Sequence, residues 1–287
     1  MHIAQGLMKT TNVNKLTSSG IHFTFLVADW FAQLNNKFKG DLSKIRKVGQ
    51  YFLEIWKACG MNLEHVSFVW SSEEVNKRPD EYWQMVMDIA RKNSVARVKR
   101  CGQIMGRSGD ADSAQNESLL RSIFRSREAD AALNEDEFVR KHLPSARSDN
   151  QPVAQLLYPL MQCADVFFLR SSICQLGLDQ LKVNVLAREY CDQLKGEKKR
   201  LRKPIVLSHP MLMGLKQGQA KMSKSNPDSA IFMEDSEAEV ERKMKRAYCK
   251  PGDVEENPVL DYLDKVVFPW YGCNSDFLFV VTIIFCL

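Results

Sequence analysis

The sequence has no Cys-x-x-Cys pair, although eight cysteines are scattered along its 287 residues. That spacing excludes the common zinc-ligand arrangements and offers no disulfide framework, so reduced thiols in a cytoplasmic-type compartment are expected. No apolar run reaches the about 18 residues that a membrane helix needs. The nearest approach is DFLFVVTIIFCL at 276–287. No basic-then-apolar leader of the secretory kind opens the chain, and no internal repeat is found. An excess of one charge is also missing: 40 Lys and Arg against 35 Asp and Glu give a net charge of +5. Such a balance permits an anionic partner without requiring one. What is present is an ordinary globular mixture, 45% hydrophobic and 26% charged, able to bury a sizeable core.

Apolar strand-like runs alternate with helical patterns. IHFTFLVAD (21–29) reads as a buried strand ending in Asp29, and VSFVW (66–70) as a second. Between them, residues 41–59 place Leu42, Ile45, Val48, Phe52, Ile55 and Trp56 at helical spacing. Asp41 is their N-cap and Gly60 their stop. A long helix is expected from about Asp80 to Cys101, two more at 152–164 and 178–192, and a third strand in PIVLSHP (204–210). This rhythm predicts an α/β fold with a doubly wound parallel sheet, in which ligands bind beyond the carboxyl ends of the strands. Residues 107–151 are polar and lack strand-like runs, and read as an inserted surface excursion. The basic run KGEKKRLRKP (195–204) reads as a solvated connector, with phosphate-backbone contact or nuclear targeting as the minority reading.

Two stretches carry phosphate-type chemistry. GQAKMSKSNPDSAIF (218–232) sets Lys221 and Lys224 among Met222, Ser223 and Ser225 in a loop that Asn226-Pro227 keeps extended. It follows directly on the third predicted strand, where a cationic clamp for a polyphosphate would belong. The chain also opens MHIAQGLMKT, with His2 and Gln5 about one turn apart at the start of a predicted helix. A helix N-terminus attracts phosphate through its free N–H groups.

The pair resembles the two signature motifs of the class I aminoacyl-tRNA synthetases. In the first, a His-Ile-Gly-His type motif, Ala4 replaces glycine and Gln5 the second histidine; the Lys-Met-Ser-Lys-Ser motif matches throughout 221–225. LLYPLMQCADVFFL (156–169) and QLGLDQLKVNVLARE (175–189) narrow the resemblance to tyrosyl-tRNA synthetases of the eukaryotic and archaeal type. LVADWFAQLNN (26–36), RKVGQYFLEIWKACGM (46–61) and AYCKPGDVEENPVLDYL (247–263) are similar to the same family.

Tyr158, Gln162 and Asp165 fall at i, i+4 and i+7, so one helix face presents a hydroxyl, an amide and a carboxylate. The resemblance implies that Tyr158, Gln162 and Gln180 hold the α-amino group of tyrosine and that Asp165 accepts from its phenol. It implies that His2, Gln5 and the 221–225 loop meet ATP, with Lys221 and Lys224 neutralising the departing pyrophosphate and Mg²⁺ sharing the charge. The implied partners are tRNA(Tyr) and a second copy of the chain, in a soluble, cytoplasmic protein away from membranes. Residues 1–246 are then the catalytic domain and 247–287 the start of a helical anticodon-binding domain. Family members carry a strand and a substrate-contacting tyrosine ahead of the first motif, so a fragment lacking that first strand is expected. The alternatives to an active tyrosine–tRNA ligase are a catalytically inactive synthetase-like binding protein and a tryptophan-specific relative.

Overall fold

The computed structural model describes residues 1–101, 152–194, 201–219, 222 and 226–271. The proposed excursion at 107–151, residues 195–200 of the basic run, the 276–287 apolar stretch, and Lys221, Ser223, Lys224 and Ser225 lie outside the described residues. The chain divides into two compact units, one formed by Met1–Tyr82 with Ser208–Leu287 and the other by Trp83–Leu207.

In the first unit a π-helical turn, Ala4–Met8, runs into helix α1 (Lys9–Ser18). Strand β1 (Phe23–Val27) leads through the short helix α2 (Asp29–Leu34) to α3 (Leu42–Ala58), and β2 (Val66–Trp70) follows. The two strands pair in parallel, from Phe23 opposite Val66 to Val27 opposite Trp70. A parallel pair needs a crossover, and α3 supplies it. Its start is fixed by Asp41, whose side chain accepts from Lys44 N at 3.1 Å. Its end is followed by Gly60 at φ +75°, a conformation that glycine adopts without a Cβ penalty. The apolar face read from the sequence turns inward: Ile45 and Trp56 are buried. Trp56 stacks on Phe25 at 4.6 Å between ring centroids, and Phe25 on Phe68 at 5.1 Å. Gly49 lets the helix approach the sheet, for a Cβ there would come within 2.6 Å of the Trp70 ring and 3.1 Å of Val27.

Beyond β1 and β2, Asp29 becomes a hub. It is 1% exposed and accepts from Ser71 Oγ at 2.7 Å, Ser72 N at 3.0 Å, Ser72 Oγ at 2.5 Å and Trp30 N at 2.9 Å. Arg46 from α3 donates to Asp29 at 3.3 Å and to Glu73 at 2.8 Å. Ser71 opens helix α4 (Ser71–Lys77), so one buried carboxylate ties the carboxyl ends of both strands to the helices that follow. Burial pushes the Asp29 carboxyl up. Hydrogen bonds from the Ser72 and Ser71 hydroxyls and from the Ser72 and Trp30 N–H groups outweigh it and hold the group below the usual carboxylate value.

The expected helix from Asp80 to Cys101 is two helices, α5 (Pro79–Lys92) and α6 (Val95–Cys101). The break is local polar chemistry. Asn93 Nδ2 turns back to donate to Ile89 O at 2.8 Å, and Ser94 Oγ accepts from Arg97 N at 3.2 Å, capping a new start. In the second unit, α7 (Ala154–Phe168) packs against α6 and against α8 (Leu181–Gln193). Between α7 and α8 lies β3 (Ile173–Gly177), which the sequence reading did not contain. It forms a two-stranded sheet with β4 (Ile205–His209), beside a hydrogen bond from Ile205 N to Ser172 O at 3.0 Å. Among the described residues the strands therefore pair as two two-stranded sheets, where a single sheet was expected. The architecture is a Rossmann-like α/β fold rich in helix. Its later helices are α9 (Glu237–Lys245), opened by a capping box of Ser236 and Glu239, then α10 (Pro258–Tyr262) and α11 (Phe268–Tyr271).

Candidate active site

The first unit holds the His2–Gln5 stretch and, of the 221–225 motif, Met222. His2 does not begin the helix. It forms an antiparallel bridge with Phe232, flanked by hydrogen bonds from Ile3 N to Ile231 O at 3.0 Å and from Met233 N to Met1 O at 2.7 Å. Its carbonyl then accepts from Gln5 N at 3.0 Å and Gly6 N at 3.2 Å, which starts the turn. The main chain of Gln5 is anchored by Trp56 Nε1, which donates to Gln5 O at 2.8 Å. The side-chain Oε1 of Gln5 is buried and has no partner among the described residues.

Residues 231–233, the bridge's other half, come just after the Lys-Met-Ser-Lys-Ser loop. The Met1 amino group and Tyr51 OH both meet Glu234 immediately beyond. Met222, the one residue of that loop among those described, hydrogen-bonds through its N–H to Leu212 O at 3.1 Å. Its side chain is buried in a cluster with Ile3, Met8, Leu212, Leu215 and Tyr262. One apolar core therefore holds residues from both motifs. Lys9, one turn beyond Gln5, lies 5.9 Å over the Phe25 ring, and burial pulls its ammonium below the ordinary value. The i, i+4 spacing from Gln5 is the signal by which the sequence offers Lys9.

The second unit gathers the other four candidates. Tyr158, Gln162 and Asp165 lie along α7, and Gln162 Nε2 donates to Gln180 Oε1 at 3.2 Å. Gln180 ends a 3₁₀ turn, Leu178–Gln180, that leads from β3 into α8. Asp165 is 7% exposed. Tyr158 is pushed up to about 12 by burial first, then by the charges of Asp165 and Asp179. Cys174 on β3 is pushed up to about 11 by burial and by Asp165.

Cys174 Sγ donates to Asn184 Oδ1 at 3.8 Å. Asn184 is 1% exposed, and its Nδ2, like Gln162 Oε1, is a buried polar atom without a partner among the described residues. The sequence reading missed Asp179, Cys174 and Asn184. Asn184 stands four residues after Gln180, a spacing that could have drawn attention to it; Asp179, directly before Gln180, had no such signal.

Chemically, this wall offers a hydroxyl, amides and a buried carboxylate to a small polar molecule. Among the described residues no group of three or more His, Cys, Asp or Glu side chains could hold a metal ion. No helix among the described residues is long and apolar enough to cross a membrane.

Comparison with known proteins identifies the lineage. The family profile described as tRNA synthetases class I (W and Y) matches residues 1–271. Tyrosine–tRNA ligase 1, cytoplasmic, of Arabidopsis thaliana is 54% identical over 271 residues, covering 94% of this chain and 60% of that protein. The tyrosine–tRNA ligase of Picrophilus torridus is 35% identical over 276 residues, covering 94% of this chain and 70% of that protein. A crystal structure of Leishmania major tyrosyl-tRNA synthetase in complex with tyrosinol superposes with a TM-score of 0.74 at 48% identity. It covers 94% of this chain and 45% of that one. The chain thus spans about 60% of the Arabidopsis relative's length. A tryptophanyl-tRNA synthetase of Campylobacter jejuni, 14% identical with a TM-score of 0.57, shares the fold alone. The chain belongs to the class I tRNA synthetases of the tryptophan and tyrosine group, on the tyrosine–tRNA ligase side of it.

Proposed function

We propose that the chain activates tyrosine with ATP to form tyrosyl-adenylate and pyrophosphate, and transfers the tyrosyl group to the 3′ end of tRNA(Tyr). The observation that carries this reading is the face of α7, with Asp165 buried and Gln162 bonded to Gln180 at 3.2 Å. Tyr158, Gln162 and Gln180 are assigned to the α-amino group and Asp165 to the phenol hydroxyl. A site built to hydrogen-bond a substrate hydroxyl discriminates by about 10⁴-fold or more against the analogue lacking it, a range for which tyrosine-specific synthetases are themselves the reference case.

The carboxylate of tyrosine is already ionised, so its attack on the α-phosphorus needs no general base. Positioning and stabilisation of developing phosphate charge carry the step. His2 and Gln5 are assigned to the ATP phosphates, together with Lys221, Met222, Ser223, Lys224 and Ser225. Lys221 and Lys224 neutralise the pyrophosphate that leaves. The Gln5 amide nitrogen is a donor suited to phosphate, although it carries no charge. Mg²⁺ enters with the phosphates of the nucleotide, the oxygen ligands it prefers.

The Arabidopsis relatives are named as cytoplasmic, and a cytoplasmic location is proposed here. A homodimer, and a boundary near residue 246 before a helical anticodon-binding domain, complete the proposal.

The test is amino-acid-dependent exchange of labelled pyrophosphate into ATP by the 287-residue chain. Exchange is expected with tyrosine and at background with tryptophan and phenylalanine, falling at least 100-fold in Asp165→Ala. A folded chain without exchange, or one that prefers tryptophan, overturns the reading.

A further inference from the structure

Lys243 is the buried cation of α9. Its side chain is 4% exposed, against 41% for Arg242 and 74% for Lys245, which pair with Asp228 and Glu241. Exposed pairs of that kind add little to stability. A buried ammonium carries a desolvation cost that an apolar side chain of the same length avoids. Its Nζ donates to Asp235 Oδ2 at 2.6 Å and to Ala230 O at 3.0 Å, and lies 4.9 Å over the Phe232 ring. Asp235 Oδ2 also accepts from Phe232 N at 2.9 Å, and Asp235 N donates to Phe232 O at 3.2 Å. These partners all lie within residues 230–235.

That stretch is the other half of the bridge to His2, and it follows the 221–225 motif in sequence. Phe232 pairs with His2, and the hydrogen bonds from Ile3 N and Met233 N close on either side of the pair. The two segments also approach closely at Gly6, where a Cβ would come within 2.6 Å of Met233 Sδ. On its other side Asp235 is followed directly by the capping box of Ser236 and Glu239 that opens α9. A capped helix start, a buried ion pair and a backbone bridge thus run in series from Lys243 to His2.

We propose that Lys243 and Asp235 are positioning residues for the reaction with ATP. Their buried pair fixes residues 230–235 and, through the Phe232 bridge, holds His2 where the nucleotide phosphates are met. Neither side chain is assigned a contact with substrate. The assignment of His2 to ATP rests on the proposed ligase reading; the clamp on His2 does not. A buried ion pair of this kind is kept for conformational specificity more than for stability. Specificity of position matters here, because a misplacement of about 1 Å in a reacting site can cost about 100-fold in rate.

The test begins with Lys243→Met, which removes the charge and keeps the length. In pyrophosphate exchange by the 287-residue chain, kcat/KM for ATP should fall about 10- to 100-fold, with KM for ATP raised and KM for tyrosine within about twofold of the parent's. The proposed tyrosine contacts lie in the second unit, so they should be spared. A purely stabilising pair would lower only the folded fraction, reducing kcat with both KM values unchanged, and that result overturns the proposal. Lys243→Met leaves Asp235 buried without its cation and risks unfolding. The double variant Lys243→Met, Asp235→Asn buries no charge; it should regain the parent's melting temperature and keep the ATP defect. Parent-like ATP kinetics in the double variant reject the positioning role, and a double variant that does not fold assigns the pair to stability instead. In a His2→Ala background, Lys243→Met should add less than about twofold, because groups that act as a unit are not additive. Full additivity overturns the proposal as well. Amide hydrogen exchange reads the clamp without turnover: Ile3 and Met233 should exchange faster in the double variant, with the amides of α3 unchanged. Parent-like exchange at Ile3 and Met233 overturns the clamp. Faster exchange there, from a parent that shows no pyrophosphate exchange, would keep the clamp and reject the ligase reading.

Discussion

Asp29 shows how one carboxylate can organise two strand ends. With its hydrogen bonds from Ser71, Ser72 and Trp30 and its contact with Arg46, it is a buried ion that is fully satisfied. Asp29→Asn keeps the shape but turns an amide N–H₂ towards donors, and should cost about 2 to 4 kcal/mol at pH 7. The sign with pH follows from its depressed folded value. The ionised group stabilises the fold above the unfolded carboxylate value of about 3.9, and that contribution fades as pH falls through the lower folded value. Urea melts of parent and variant should therefore differ at pH 7 and converge towards pH 3; an equal gap at both would reject the assignment. The sequence reading took Asp29 only as the end of a strand. Its partners sit about 42 residues away at the end of the neighbouring strand, and nothing in a linear pattern announces that pairing.

At the scale of the element, α3 was legible because its information is local. Asp41, the apolar spacing and Gly60 each act within a turn of themselves. The same kind of reading failed between α5 and α6, where helix-compatible residues run on but Asn93 and Ser94 redirect the backbone hydrogen bonds. It failed also for β3, whose ICQLG mixes cysteine, glutamine and glycine and shows no clean alternation. The α7 face was legible because Tyr158, Gln162 and Asp165 obey the helical period, whereas Cys174 and Asn184 meet each other across ten residues, from β3 to α8, which no local pattern announces. The fit of α3 on its sheet gives a sharp expectation. Alanine at an exposed helical glycine gains up to about 1 kcal/mol of propensity. At Gly49 the added Cβ meets the Trp70 ring, so Gly49→Ala should destabilise by about 1 to 3 kcal/mol in a denaturant midpoint. A stabilised variant would mean that the helix does not approach β2 this closely.

For the whole molecule, the thiols give a test of packing in both units at once. All six described cysteines are free, and Cys249 is exposed while Cys101 and Cys163 are buried. Burial pushes Cys163 far up and raises Cys101, in spite of Arg97 beside the latter. In native alkylation at pH 8 followed by mass spectrometry, Cys249 should be modified first among these six, and Cys101 and Cys163 only after unfolding. Early labelling of Cys163 would contradict the packing of α7. The methionine of the 221–225 motif has a consequence of another kind. Its sulfur lies in the apolar cluster with Ile3, Leu212 and Tyr262, between two lysines in sequence. Conversion to the sulfoxide would place a polar S=O among those side chains. Oxidation at that single atom would then strike a core that holds residues of both signature motifs.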